Sequence, residues 1–411
     1  MKNKKLRIAM LSVHSCPLGQ LGGRDTGGMN VYIREISRTL GDMGHSIDIY
    51  TRAHDPRDPQ MEVLAPNVRL IHIKAGRVED MAKMTQYGHL DDFMKNLGAF
   101  KSDNRLEYDL IHSHYWLSGK IGQLLGQRWS IPNIVMFHTL GAVKNRLGIC
   151  GSESPLRLKT EKEIATCSQH IIVATEREKK ELVDYYGATE EKISVVPCGV
   201  NLELFKNIGR SNARKRLKLN GHEVVLFIGR IEPLKGIDKL MKAIAKLENQ
   251  RNKRLIILGG DEYSNNQVKE LKRLAVELAI DKNVVFHGSV RQEELPLFYS
   301  CADVCVVPSY YETFGLVTLE SLACGTPVVA ADVGVAGSVI KDGYNGYLVK
   351  SNNSDDLAEK IERVLSRTDK NLKDRKSIRE TVKHYNWGNI ARDIYNKYCE
   401  VIESYYSVSS V

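Results

Sequence analysis

The sequence has no CxxC pair and no histidine and cysteine cluster at zinc-ligand spacing, so nothing in it announces a sulfur-held metal. It has no run of about eighteen apolar residues, which excludes a membrane-spanning helix. Neither G-x-G-x-x-G nor a Walker loop occurs, which removes the best support for dinucleotide and P-loop readings. Aromatic residues make up only 7% of the chain, and no aromatic and basic stripe accompanies the net charge of +9. A nucleic-acid partner is therefore not expected, although the charge favours an anionic one. The start, MKNKKLRIAMLSV, is basic and then briefly apolar, but it runs into charged, glycine-rich sequence without a small-residue cleavage site. A reducing, cytoplasmic setting is expected, with several of the eight cysteines reading as small buried thiols in apolar runs.

What is present fits a globular enzyme: 411 residues, 42% hydrophobic and 27% charged, suit two or three domains. Short runs rich in Val and Ile recur near residues 8–13, 47–50, 68–73, 110–112, 134–137, 171–174 and 193–196. They resume at 224–228, 255–258, 284–286, 304–307, 328–330 and 347–349, each followed by a turn signal and a helical pattern. Runs without alternation suit strands covered on both faces, so the expectation is α/β, twice over. The basic stretch 201–222 loses this rhythm and is expected to link domains at 1–205 and 206–385. From 386 to 411, Trp387, Ile390, Ile394, Tyr398, Val401 and Ile402 fall at helical spacing and predict a terminal amphipathic helix.

Three segments can carry chemistry. After the first strand, SVHSCPLGQLGGRDTGGMNVYI places Gly22, Gly23, Gly27 and Gly28 before a helix striped by Met29, Ile33, Ile36, Leu40 and Met43. Glycines let backbone approach a ligand closely, and a helix start offers free N–H groups to an anion, although such a turn also serves structure alone. In GRIEPLKGIDKL, Arg230 and Lys235 follow the strand 224–228, where two fixed cations suit a diphosphate. In VVPSYYETFGLVTLESLACGTPVVAADVGVAG, Glu312 lies in a loop after a strand and Glu320 about two turns along the next helix. A carboxylate accepts two hydrogen bonds side by side, which suits the vicinal hydroxyls of a ribose or a sugar.

Two glutamates eight apart flanking T-F-G, preceded by G-R-x-x-x-x-K-G and by the Gly-Gly loop, resemble the retaining GT-B glycosyltransferases of family 4 type, along the whole chain. The resemblance implies two Rossmann-like, doubly wound parallel-sheet domains facing across a cleft, with the terminal helix crossing back onto the first. By it Arg230 and Lys235 neutralise the diphosphate of a nucleotide sugar, most commonly a UDP-sugar. Glu320 holds the ribose, and Glu312 the donor sugar. Gly27, Gly28, Thr313, Phe314, Gly315 and Leu316 complete the donor cradle. No D-x-D occurs, so no cofactor is expected, and departure of the diphosphate is assigned to fixed cations and helix ends instead of a divalent metal.

HSCPLGQ, DTGGMNVYI, HSHYWLSGKIG and MFHTLGAVKN are similar to the subgroup of D-inositol 3-phosphate glycosyltransferases, with sucrose-phosphate synthases as neighbours. That likeness implies that Asn30, Lys83, Tyr115 and Thr139 line a pocket for a phosphorylated acceptor and that His138 touches the donor sugar near the reacting carbon. An arginine expected in the next segment falls on Thr160, with Arg157, Lys159 and Lys162 nearby as substitutes. The catalytic set is then His138, Arg230, Lys235 and Glu312. The expected partners are a UDP-sugar and an acceptor such as inositol phosphate, with homodimerisation and peripheral membrane contact left open. The alternatives are transfer to fructose 6-phosphate and a nucleotide-sugar epimerase of the same architecture.

Overall fold

A computed structural model describes residues 4–19, 26–149, 151–219, 221–249, 252–261, 264–351, 353–366 and 372–408. The chain forms two units. One comprises Met1–Gly19, Met29–Pro197 and Trp387–Val411, the other Gln20–Gly28 and Cys198–Asn386.

The first unit holds β1 (Arg7–Leu11), β2 (Ser46–Arg52), β3 (Met61–Ala65), β4 (Val68–Ile73), β5 (Leu110–His114), β6 (Asn133–Met136), β7 (His170–Val173) and β8 (Ile193–Val195). Their order in the sheet is β3-β4-β2-β1-β5-β6-β7-β8. The second unit holds β9 (Glu223–Ile228), β10 (Lys253–Leu258), β11 (Val284–Gly288), β12 (Val304–Val307), β13 (Val328–Ala331) and β14 (Gly346–Val349), ordered β11-β10-β9-β12-β13-β14. Among the described residues every strand pairing is parallel except that of β3 with β4. Helical crossovers between parallel strands cover both sheet faces, which is why the strands read as unbroken apolar runs. Ile8, Ile47, Leu110, Val225, Leu255 and Val304 are fully buried.

Strand β3 was not expected. It is an antiparallel edge strand with Met61 and Val63 exposed, so no inner-strand pattern marks it. The basic stretch also differs from a plain linker. Residues Arg210–Leu217 form a helix of the second unit, where Arg210 and Arg214 pair with Asp303 at the entrance to β12. Asp303 also accepts the Val224 N–H at 2.8 Å, so one largely buried carboxylate ties this helix to the edge of two central strands.

The helix Trp387–Val408 belongs to the first unit. Its residues Trp387, Ile390, Ile394, Tyr398 and Ile402 are buried, and the Tyr398 hydroxyl lies 2.7 Å from Nδ1 of His112 on β5. Among the described residues, no helix is long and apolar enough to cross a membrane.

Asp303→Ala would leave two arginines and a strand N–H without their shared acceptor. The expected loss is about 3–5 kcal/mol, as for breaking a buried ion pair, read as a lower urea midpoint for the second unit.

Candidate functional site: two ligand-binding clusters

In each unit the candidate groups gather on loops that leave the carboxyl ends of parallel strands, where open α/β sheets hold their ligands. In the first unit β5 runs directly into the helix Tyr115–Trp129, and β6 into a turn at His138. Tyr115 and His138 have φ of 76° and 61°, a left-handed conformation that costs non-glycine residues energy and persists only where packing enforces it.

Packing does enforce it here. His138 Nε2 lies 2.9 Å from His114 Nδ1, and the His114 ring packs in turn against His112 at 4.2 Å between centroids. Tyr32 meets the rings of His114, His138 and Trp387 edge-on. Burial pushes the imidazolium form of His138 down to about 3, with the nearby His112 adding to the effect. His138 is therefore neutral at physiological pH and can take part in hydrogen bonds without bringing a charge.

The Tyr115 ring collects the acceptor candidates. His14 packs on it at 4.1 Å, the Arg157 guanidinium lies 5.1 Å from its centroid, and the Lys83 amine 5.9 Å. Arg157 Nη2 donates to both the carbonyl and the hydroxyl of Thr139, at 3.1 and 3.0 Å. Its Nε donates to Glu161 at 2.7 Å, and Nη1 lies 3.0 Å from Glu153, which also pairs with Lys144 at 2.7 Å. Burial opposes the charge on Arg157, but Glu161, Tyr115 and Glu153 outweigh it and hold the guanidinium ionised. Lys83, Lys144 and Arg157 thus stand against two carboxylates, leaving one positive charge in excess around an aromatic ring.

This geometry corrects the register expected at Thr160. The group that meets Thr139 and Tyr115 is Arg157, whereas Thr160 is buried and Lys159 and Lys162 are exposed. Position 157 precedes Glu161 by one helical turn, so the arginine and its carboxylate partner share a face of the helix Pro155–Cys167. Asn30 has a further task. Its amide nitrogen donates to Ser15 Oγ at 2.8 Å and to the Cys16 carbonyl at 2.7 Å, holding the loop that carries His14. Gly22 and Gly23 lie outside the described residues, while Gly27 precedes and Gly28 begins the helix Gly28–Asp42. His14, Lys144 and Glu161 were missed, because only the fold brings them to Tyr115 and Arg157.

In the second unit the loop after β9 carries Arg230, paired with Glu232 at 2.9 Å and partly exposed. Lys235 reaches across to Glu312 at 2.6 Å, and Ser309 donates to the same oxygen at 2.8 Å. Gly236, with φ of 66°, allows this approach, since a Cβ there would stand 2.4 Å from the Pro308 carbonyl oxygen. Gly315, at φ 92°, starts the helix Leu316–Ala323, whose first N–H groups have no partner within the helix. Thr313 is half-buried beside it, and Phe314 is buried. Glu320 lies on that helix, accepts the Tyr299 hydroxyl at 2.7 Å and is pushed up to about 7 by burial, which the Tyr299 hydrogen bond partly offsets. Arg230, Lys235, Glu312 and Glu320 thus supply two cations and two carboxylates to one unit, with Lys235 and Glu312 in direct contact.

Comparison with known proteins specifies the family. The model for glycosyl transferases group 1 matches residues 209–385, and that for Glycosyltransferase Family 4 matches residues 26–204. D-inositol 3-phosphate glycosyltransferase 2 of Catenulispora acidiphila is 41% identical over 377 residues, covering 89% of this chain and 88% of that protein. The D-inositol 3-phosphate glycosyltransferase of Streptomyces bingchenggensis is 39% identical over 418 residues, covering 98% and 91%. Among solved structures, sucrose-phosphate synthase from Thermosynechococcus elongatus superposes with a TM-score of 0.88 at 32% identity, covering 97% of this chain and all of that one. The chain belongs to this glycosyltransferase family, with the GT-B fold.

Glu320 yields a test independent of activity. Its folded-state pKa is raised, so stability falls as pH rises from the ordinary carboxyl range toward 7 and the buried group is forced to ionise. Glu320→Gln should therefore raise the unfolding midpoint relative to the parent at pH 8, with the gain shrinking toward pH 5 in paired thermal melts.

Proposed function

We propose that the chain moves a hexosyl group, with retention of anomeric configuration, from a UDP-sugar to a phosphorylated small-molecule acceptor of the inositol phosphate class. The observation that carries the acceptor is Arg157, buried against Tyr115 and bonded to Thr139, with Lys83 and Lys144 close by. A phosphate dianion complements that excess positive charge. Relatives named D-inositol 3-phosphate glycosyltransferase at 37–41% identity support the same choice.

In this reading Arg230 and Lys235 take the diphosphate, joined by the backbone N–H groups of Gly315 and Leu316, with Gly27 and Gly28 lending the close approach of a glycine pair. Glu320 accepts the ribose hydroxyls, Glu312 those of the hexose, and Thr313 and Phe314 shape the turn between them. Lys235 is already paired with Glu312, so the two groups are held in place before the donor arrives, which lowers the reorganisation needed in the transition state.

The bond between the anomeric carbon and the leaving phosphate oxygen breaks as the acceptor hydroxyl adds from the same face. The hydroxyl proton passes to that leaving oxygen. His138, neutral and fixed by His114, contributes orientation to the sugar, and no protein carboxylate acts as nucleophile. Positioning and charge stabilisation carry the rate, with no divalent metal required for departure of the diphosphate. Lys83, Tyr115, Thr139 and Asn30, the last through the loop it holds, set the acceptor. A second reading, transfer to fructose 6-phosphate, draws on the likeness to sucrose-phosphate synthase at 32% identity and would use the same phosphate cluster.

The test is release of nucleotide diphosphate from UDP-glucose, UDP-N-acetylglucosamine or GDP-mannose, each with inositol phosphate, fructose 6-phosphate or no acceptor. Release is expected from a UDP-sugar only when inositol phosphate is present. Release without any acceptor, or equally fast with unphosphorylated inositol, would refute the assignment. Arg230→Ala and Lys235→Ala should each cut turnover by roughly 10²-fold, the scale of losing one transition-state charge donor. Near-normal turnover in both would remove them from the reaction.

A further inference from the structure

We propose that the first unit carries a binding site for a divalent transition-metal ion of the zinc class, formed by His54, Asp58 and His72 with the sulfur of Cys16 beside it. One ligand atom from each of the first three residues lies within 4.8 Å of the other two. They come from neighbouring parts of one sheet. His54 follows β2, Asp58 lies in the connection to β3, His72 is buried within β4, and Cys16 sits in the loop after β1.

The separations match an ion's coordination shell. His54 Nδ1 stands 3.3 Å from Asp58 Oδ2, His72 Nε2 stands 3.7 Å from that same oxygen, and Cys16 Sγ stands 3.8 Å from His72 Nε2. Nitrogen and oxygen ligands at about 2.0–2.2 Å from a tetrahedral ion lie about 3.3–3.6 Å from one another, and a sulfur at about 2.3 Å lies about 3.6 Å from a nitrogen. His54 Nδ1 and Asp58 Oδ2 are both buried, and neither forms a hydrogen bond, even though they face each other at that distance. Two inward-facing polar atoms at that separation with no hydrogen bond between them are what an ion would satisfy.

The outer contacts agree. His72 Nδ1 lies 2.7 Å from the Pro59 carbonyl, and a carbonyl can only accept, so Nδ1 carries the proton and Nε2 keeps its lone pair toward Asp58 and Cys16. A ring nitrogen held by a backbone carbonyl while the other faces a metal is the usual arrangement for a histidine ligand. The His72 N–H is also bonded to the Gln60 carbonyl at 2.8 Å, which fixes the loop that carries Asp58. Nitrogen, carboxylate and sulfur donors together select a zinc-like ion over magnesium or calcium.

No local spacing announces this site, because its residues are 16, 54, 58 and 72. It is distinct from the residues assigned to the diphosphate, so it does not bear on whether transfer itself needs a metal. Its effect is on the loop after β1, where an ion would tether the segment that carries His14 and receives the Asn30 amide.

The experiment uses the full chain without a histidine tag, stripped by chelator and titrated with Co²⁺ alone. One equivalent should bind and give the intense visible absorption of a four-coordinate ion. His54→Gln and Asp58→Asn, both at half-buried positions, should each weaken binding by roughly 10-fold or more while keeping the parent's far-ultraviolet circular dichroism. Zn²⁺ should raise the melting temperature of the parent and not of these variants. Failure of the stripped parent to retain Co²⁺, or Co²⁺ binding unchanged in both variants, would overturn the site.

Discussion

Parallel pairing is the constraint from which the chemistry follows. A strand can join a parallel neighbour only through a crossover, so every strand of a sheet delivers its next loop to the same rim. Side chains far apart in sequence then become neighbours: Lys235 after β9 meets Glu312 after β12, and Tyr115 after β5 meets Arg157, which in turn bonds Thr139 just beyond β6. Among the described residues the one antiparallel strand, β3, stands at the edge of its sheet, outside this scheme.

Charge is handled differently in the two clusters. Around Tyr115, Arg157 is buried, is kept ionised by Glu161 and Glu153, and is held in orientation by Thr139. In the second unit Arg230 is half-exposed and Lys235 shares Glu312 with Ser309. Glu320 is a costly group, a buried carboxylate with one tyrosine hydroxyl to steady it, and perturbed carboxylates of this kind cluster at functional sites. The neutral histidines His114 and His138 contribute shape without charge, packed against each other and against Tyr32.

Much of this was legible in the sequence, for physical reasons. Parallel strands carry apolar side chains under their crossover helices, so thirteen runs stood out, the edge strands β8, β11 and β14 among them, whereas β3, an antiparallel edge strand with exposed Met61 and Val63, did not. The terminal helix was visible from Trp387, Ile390, Ile394 and Tyr398, all of which are buried. Glu312 and Glu320 were readable because a short turn and a helix fix their spacing. Arg157 was named only among three candidates, since nothing local tells which face of the helix Pro155–Cys167 turns to Thr139. His14, Lys144 and Glu161 carried no signal at all, because their partners are distant in sequence and only the fold joins them.

The proposed function divides the labour, with the donor's nucleotide read by the second unit and the acceptor's phosphate by the first. Calorimetric titration of UDP and of inositol phosphate into the parent, Glu320→Gln and Arg157→Ala measures it most directly. Glu320→Gln should weaken UDP by about 10-fold to 100-fold, the value of a hydrogen bond to a charged group, and leave inositol phosphate untouched, while Arg157→Ala should do the reverse. Affinity for UDP that depends on Arg157 and ignores Glu320 would contradict the account.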